Sequence, residues 1–279
     1  MRRLTIAILA LALSGCGGPG YTPVAAPQNK NSVTVDLNTD RIYAQDFNDG
    51  ADALDKKSWA EAIADETRAI QRNPNLYPAY IDRGIAYAHQ GNNAAAIADF
   101  TKAIDLAKSH GSGNYADSLS EDDLGDHHAS AVIIYPAYAG RAEVYENTGQ
   151  YTLAVADYSS AIAQNTPTAK VKGQLYNGRC WARARQGDLP AALQDCNQAL
   201  ALAPNEPEIL DSRGFVYLKM GKYDLSMTDY HAALAMDPKQ ATSLYGLGLA
   251  MRAVNDPGAA QKIAQAEAIN PNVAAILGF

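Results

Sequence analysis

The sequence predicts an all-α solenoid of helical hairpins, on three observations. A segment recurs without a gap, each copy places apolar residues at the helical period, and a glycine interrupts each copy at its middle. The clear copies are "YIDRGIAYAHQGNNAAAIADFTKAI" from Tyr80, "YAGRAEVYENTGQYTLAVADYSSAI" from Tyr138, "YNGRCWARARQGDLPAALQDCNQAL" from Tyr176 and "LDSRGFVYLKMGKYDLSMTDYHAAL" from Leu210. Alanine and straight-chain residues favour helix on both sides of the glycine, which supplies the turn. Such a hairpin cannot bury its own apolar surface alone, so the copies must stack.

Ahead of the repeats, Arg2 and Arg3 precede the apolar run "LTIAILALAL". A bilayer span takes roughly 20 apolar residues, so this shorter run reads as a secretory signal covering residues 1–15. The run ends in Leu13-Ser14-Gly15-Cys16, which resembles the lipobox of bacterial lipoproteins. That resemblance implies that Cys16 becomes the acylated, palmitate-bearing first residue of a chain anchored to the cell membrane. In that family an aspartate after the cysteine favours the inner membrane. Gly17 stands here, which points to the outer membrane and the periplasm. Each buried methylene adds about 0.8 kcal/mol, so several acyl chains hold stably where one is marginal. Residues 16–42, with "GGPGYTPVAAPQNKN", lack a helical period and read as a flexible lipidated tether.

The repeats resemble the tetratricopeptide repeat, a helix-turn-helix unit of roughly 34 residues with small residues at positions 8, 20 and 27 and aromatics at 4, 11 and 24. From Tyr77, the second copy supplies Tyr80, Gly84, Tyr87, Gly91, Ala96, Phe100 and Ala103; from Pro207, the fifth supplies Gly214, Tyr217, Gly221, Tyr223, Tyr230, Ala233 and Pro238. About six repeats are expected, near 43–76, 77–106, 135–168, 173–206, 207–240 and 241–273. The outer two fit less well: Glu66 replaces the aromatic in the first, and the sixth aligns Gly248, Ala259 and Pro271 only with one residue deleted. Poor terminal copies are usual where a repeat caps a stack, and "PNVAAILGF" is expected to cover the last apolar face. The resemblance implies a right-handed superhelical solenoid over residues 43–279.

A polar register runs through the repeats. Arg83, Arg141, Arg179 and Arg213 recur at position 7, and Asp65, Asp99, Asp157, Asp195 and Asp229 at position 23. Pairing either within a hairpin or between neighbours fits this pattern. Copies of the pair in four successive repeats argue against catalysis, which needs groups in unequal environments.

By resemblance, the first helix of each repeat lines a concave groove through positions 2, 5, 9, 12 and 13. That selects Ile81, Ile85 and His89; Glu143, Glu146 and Asn147; Asn177, Trp181 and Arg185; Asp211, Phe215 and Lys219; and Tyr245, Leu249 and Arg252. This mixed lining suits an extended or helical protein segment. The Lys and Asn set by which some relatives clamp a terminal carboxylate is absent at these offsets. Trp181 and Phe215 are the anchor candidates, because large aromatics dominate interface energetics; the other reading of Trp181 is packing between repeats.

Residues 107–134, "AKSHGSGNYADSLSEDDLGDHHASAV" with its flanks, form a polar insertion without a helical period, expected to be a partner-contacting loop. Its His110, Asp122, Asp123, Asp126, His127 and His128 lack the spacing of a metal site. No phosphate loop, zinc-protease helix or nucleophile elbow occurs, so neither enzyme activity nor cofactor is expected. The chain has 23 basic against 30 acidic residues, and losing Arg2 and Arg3 with the signal would leave a formal balance of −9. No basic patch is present, which argues against nucleic acid.

Cys180 and Cys196 occupy positions 8 and 24 of the fourth repeat, at similar height on facing helices. Helix axes about 8–10 Å apart place inward-pointing Cα atoms roughly 4–6 Å apart, within disulfide range. Two alternatives stand: a disulfide in an oxidising periplasm, or two buried thiols.

Two functional readings follow. One is a lipid-anchored envelope scaffold, resembling the NlpI-like lipoproteins that dock peptidoglycan hydrolases and a protease. The other is an assembly component, resembling lipoproteins that pilot pilus or secretion machinery or serve outer-membrane protein insertion. Protein partners are expected in both, with a homodimer as a further expectation common to such solenoids.

Overall fold

A computed structural model describes residues 37–109 and 134–278. The signal 1–15, the acylation candidate Cys16 and the first part of the tether lie outside the described residues, as do insertion residues 110–133 and the histidines and aspartates named in them. Among the described residues every regular element is an α-helix. They divide into two compact units, one ending at Ala137 and the other beginning at Tyr138.

The first unit holds α1 (Leu37–Asp55), α2 (Trp59–Arg72), α3 (Tyr77–His89) and α4 (Asn93–Ser109). Each odd helix pairs with the next to form a hairpin, and α2 also packs on α3. Helix α5 (Tyr135–Asn147) crosses the division. The second unit continues with α6 (Tyr151–Ile162), α7 (Ala169–Gln186), α8 (Leu189–Leu202), α9 (Pro207–Lys219), α10 (Tyr223–Met236), α11 (Ala241–Ala253), α12 (Ala259–Ile269) and the short α13 (Val273–Leu277). There α7, α9 and α11 stand side by side, and α6, α8 and α10 each fill the space towards the next odd helix.

Three bounds differ from the sequence reading. Helix α1 starts at Leu37, inside the segment read as tether, because nothing between Leu37 and the buried Tyr43 and Phe47 breaks a helix. Helix α4 runs to Ser109, past the predicted end at 106, where its last turn still buries Leu106. Helix α7 begins at Ala169 instead of 173, capped by Thr168, whose hydroxyl accepts from the Val171 N–H at 3.1 Å.

The turn of every hairpin places position 15 in the left-handed region: Gly91, Gly149, Gly187 and Gly221 in the inner repeats, Lys57 and Asn255 in the outer two. Glycine adopts this conformation without steric cost, whereas Lys57 carries a Cβ into it. The one-residue deletion of the sixth repeat therefore falls beyond Asn255, in the approach to α12.

Position 8 meets position 24 across the first, second, fourth, fifth and sixth hairpins. A Cβ on Gly84 would stand 2.9 Å from the Phe100 ring, and one on Gly214 would stand 3.0 Å from the Tyr230 ring. Gly248 faces Ile263 in the same way. The fourth hairpin closes this contact covalently: Cys180 and Cys196 form a disulfide with Cα atoms 5.4 Å apart. In the first hairpin the partner of Gly50 is Glu66, fully buried, with neither carboxylate oxygen hydrogen-bonded. Burial is the main reason its pKa is pushed up to about 11, with Asp82, Asp65 and Asp46 adding to the effect and Arg83 opposing it. Glu66 thus sits in the core as a neutral acid.

The Arg and Asp register resolves into both kinds of pairing. Arg83 donates to Asp99 through Nε and Nη2 at 2.8 and 2.9 Å, and Arg213 to Asp229 at 2.8 Å through both. Arg141 with Asp157 and Arg179 with Asp195 repeat the fork. The remaining nitrogen crosses to the preceding repeat: Nη1 donates to Thr67 from Arg83, to Ser159 from Arg179 and to Asn197 from Arg213. In the first repeat, which has no arginine at position 7, Asp65 takes Arg68 instead, and Arg68 and Arg72 also hold Asp46.

Two outcomes follow. Because Glu66 keeps its proton in the folded chain far above the ordinary 4.5, the unfolded state alone ionises as pH rises, so Glu66 lowers stability progressively above that value. Glu66→Gln should therefore be more stable than the parent at about pH 8 and indistinguishable from it near pH 4, as read by thermal melts across pH. Arg213→Met should cost about 3 kcal/mol in urea unfolding by leaving buried Asp229 unpaired, while Arg213→Met with Asp229→Leu should recover most of that loss.

Candidate functional site

In the second unit the residues expected to line a groove separate into an apolar floor and a charged rim. Trp181 on α7 and Phe215 on α9 are buried and meet at 4.7 Å between ring centroids, inclined by 36°. Tyr245 and Leu249 on α11 are buried in the same continuous cluster. These positions face the same way because α7, α9 and α11 are successive first helices in one register. The disulfide ties α7 to α8 at Cys180, the residue before Trp181.

Cations surround the aromatic floor. The Arg185 guanidinium lies 5.9 Å from the Trp181 ring centroid and 5.3 Å from that of Tyr151, and exposed Lys219 lies 5.8 Å from Phe215. Arg252 and Asn147 are exposed, and Asn177 is half-buried with its Oδ1 unpartnered. Arginine stacks well on aromatic faces, so this rim suits acceptor groups of a bound chain more than a second cation.

Three acidic groups belong to the same set of positions. Asp211, almost fully buried, accepts from Thr242 at 2.9 Å and from Ser243 at 2.8 Å, tying α9 to α11. Glu146 accepts from the Tyr158 hydroxyl at 3.2 Å. Burial, and then the neighbouring Glu146, raises the pKa of Glu143 well above the usual carboxylate value.

In the first unit, Ile81 and Ile85 are buried, and His89 stacks on Trp59 with centroids 3.9 Å apart and planes inclined by 10°. Burial and then nearby Lys57 hold His89 below its ordinary pKa. Among the described residues no group of three or more His, Cys, Asp and Glu could hold a metal ion. No helix among them is long and apolar enough to cross a membrane.

Sequence reasoning placed the closing segment on the last apolar face and did not foresee its contact with Arg185. Helix α13 packs chiefly along α11 with Val273 and Leu277 buried, and Arg185 donates to the Ile276 carbonyl at 2.6 Å. Val273 and Leu277, four residues apart, were a readable sign of a helix with one apolar edge. Their destination was not readable, because it depends on a contact 91 residues away.

Three family models, all describing tetratricopeptide repeats, match residues 77–110, 137–207 and 216–253. The mitochondrial import receptor subunit TOM34 of Pongo abelii is 30% identical over 112 residues, covering 39% of this chain and 36% of that protein. The chain thus spans little more than a third of that relative's length. Among solved structures, PilW, a type IV pilus biogenesis factor, superimposes with a TM-score of 0.64 at 17% identity, covering 82% of this chain and 94% of that one. YrrB, described with an unusual peptide-binding site, gives 0.50 at 19% identity over 76% and 95% of the two chains. At these identities the likeness is one of fold.

The bonded fourth hairpin makes a direct prediction. In a Cys16→Ser chain unfolded without reductant, no thiol should titrate, and reduction should lower stability by about 3 kcal/mol. Two titratable thiols per unreduced chain would contradict the bond.

Proposed function

We propose, from the premise that the chain belongs to the tetratricopeptide-repeat family, that it is a docking scaffold, anchored to a bacterial envelope membrane through Cys16, which recruits protein partners along its first helices. The observation that carries this reading is the floor of Trp181, Phe215, Tyr245 and Leu249 rimmed by Arg185, Lys219 and Arg252. A large apolar area in a groove, bordered by donors, is what an amphipathic helix or extended segment requires. The disulfide supports an oxidising compartment, and the lipobox-like Cys16 supports export. Peptidoglycan hydrolases or a protease are the partners this reading favours, with the lipid keeping them close to the outer membrane. No catalytic role is proposed.

A second reading, an assembly or pilot component of a pilus or secretion system or of outer-membrane protein insertion, draws on one observation. The superposition on PilW extends over 94% of that chain, so the two solenoids match in extent as well as in local fold.

A photo-crosslinking residue at exposed Lys219 or Arg252, in cells, separates the two readings. Trp181 and Phe215 are unsuitable positions because both are core residues. Trapped murein hydrolases would support recruitment, trapped pilus or insertion components the second reading. No product above that from exposed Leu225 on α10 would refute docking on this face. In parallel, Cys16→Ser should move the protein from the membrane to the soluble fraction.

A further inference from the structure

Helix α13 occupies the side of the second unit lined by the first helices. It has only five residues, too few to hold a helix in water by themselves, so its conformation is imposed by what it packs on. Val273 and Leu277 lie one turn apart on one edge, 0% and 1% exposed, and join the cluster that contains Trp181, Phe215 and Tyr245. Its C-terminal end meets Arg185. The guanidinium takes the Ile276 carbonyl at 2.6 Å, and a Cβ on Gly278 would be 3.0 Å from Nη1. A cation at a helix C-terminus satisfies free carbonyls and opposes the negative end of the helix dipole.

A segment serving only to cap the stack would contact the last hairpin alone, whereas α13 also reaches Arg185 of the fourth repeat. Between the fifth and sixth hairpins, Leu234 and Pro238 from one and Ala268 and Ile269 from the other line an open depression, and Ile269 remains 48% exposed. The closing segment turns away from this apolar surface and lies along α11 towards α7. It behaves as a bound peptide that happens to be covalently attached.

We infer that the groove of α7, α9 and α11 recognises a short, uncharged helix with aliphatic side chains one turn apart and its C-terminal carbonyls towards Arg185. Helix α13 is the resident occupant, and a partner segment of the same chemistry binds by displacing it. This rests on the docking role proposed above and names the class of segment docked. A tail that fills its own site nine-tenths of the time or more weakens an incoming segment by at least about tenfold.

The probe is a fluorescein-labelled synthetic peptide with the sequence of residues 270–279, Asn-Pro-Asn-Val-Ala-Ala-Ile-Leu-Gly-Phe, read by anisotropy against full-length chains. A Val273→Asp, Leu277→Asp chain, its tail released, should bind the probe at least about tenfold more tightly than the unaltered chain, and adding Arg185→Ala should weaken it at least about threefold. Equal binding by the released and unaltered chains, or none by a released chain of parental helicity, overturns the inference. Should the released chain not fold, Arg185→Ala alone decides. Amide exchange at residues 273–278 should then accelerate at least about tenfold while α12 is unchanged, and unaltered exchange there overturns the inference. Probe binding without any protein trapped from Lys219 would leave this inference standing and remove the recruiting role. Trapped partners with α13 still protected would do the reverse.

Discussion

The separation of the two helices in five of the six hairpins is set by one contact, between position 8 and position 24, and the remaining packing is built around it. A missing side chain on Gly84 or Gly214 lets the facing ring of Phe100 or Tyr230 lie directly against the helix backbone. Helix axes approach only as closely as the residues at their crossing allow, so the small partner and the large one must change together. The fourth hairpin shows this by replacing both with cysteine, and the first by placing Glu66 where a ring would otherwise sit.

On that spacing rests a polar scaffold of unusual regularity. Each arginine at position 7 uses its fork to hold the aspartate of its own hairpin, and Arg83, Arg179 and Arg213 each send a further nitrogen to the preceding second helix. A bidentate fork constrains direction as well as distance. The pair therefore fixes the rotation of one hairpin against the next more than it adds net stability, since desolvation offsets much of the attraction. The fourth repeat departs from this too: where Tyr87 and Tyr217 stand in their repeats, Arg183 donates to the same Asp195 at 2.8 Å.

Much of the fold was legible in the sequence because repetition turns weak local signals into a strong one. The glycine turns, the small-to-large contact and the position of both cysteines could be assigned from offsets alone. Element ends were less legible, as at α7, where the Thr168 cap adds a turn ahead of the repeat register. The groove was legible only as a set of positions. Offsets say that Trp181 and Phe215 face the same side as Arg185. They do not say that the side is already occupied, because nothing local to Arg185 encodes its contact with Ile276. The charge state of Glu66 was hidden for a similar reason: its surroundings come from three helices, and only their assembly excludes water.

The covalent hairpin has a mechanical consequence. An array whose units touch only their neighbours comes apart progressively, one hairpin detaching after another from whichever end frays first. Separating the two helices of the fourth hairpin under load is forbidden while Cys180 and Cys196 remain joined, because their linkage closes a loop of sequence separation 16. An unravelling front that reaches it can detach this hairpin as a unit but cannot draw its two helices apart. That rung carries Trp181, so one end of the aromatic floor keeps its local backbone geometry under tension that would dismantle the hairpins bearing Phe215 and Tyr245.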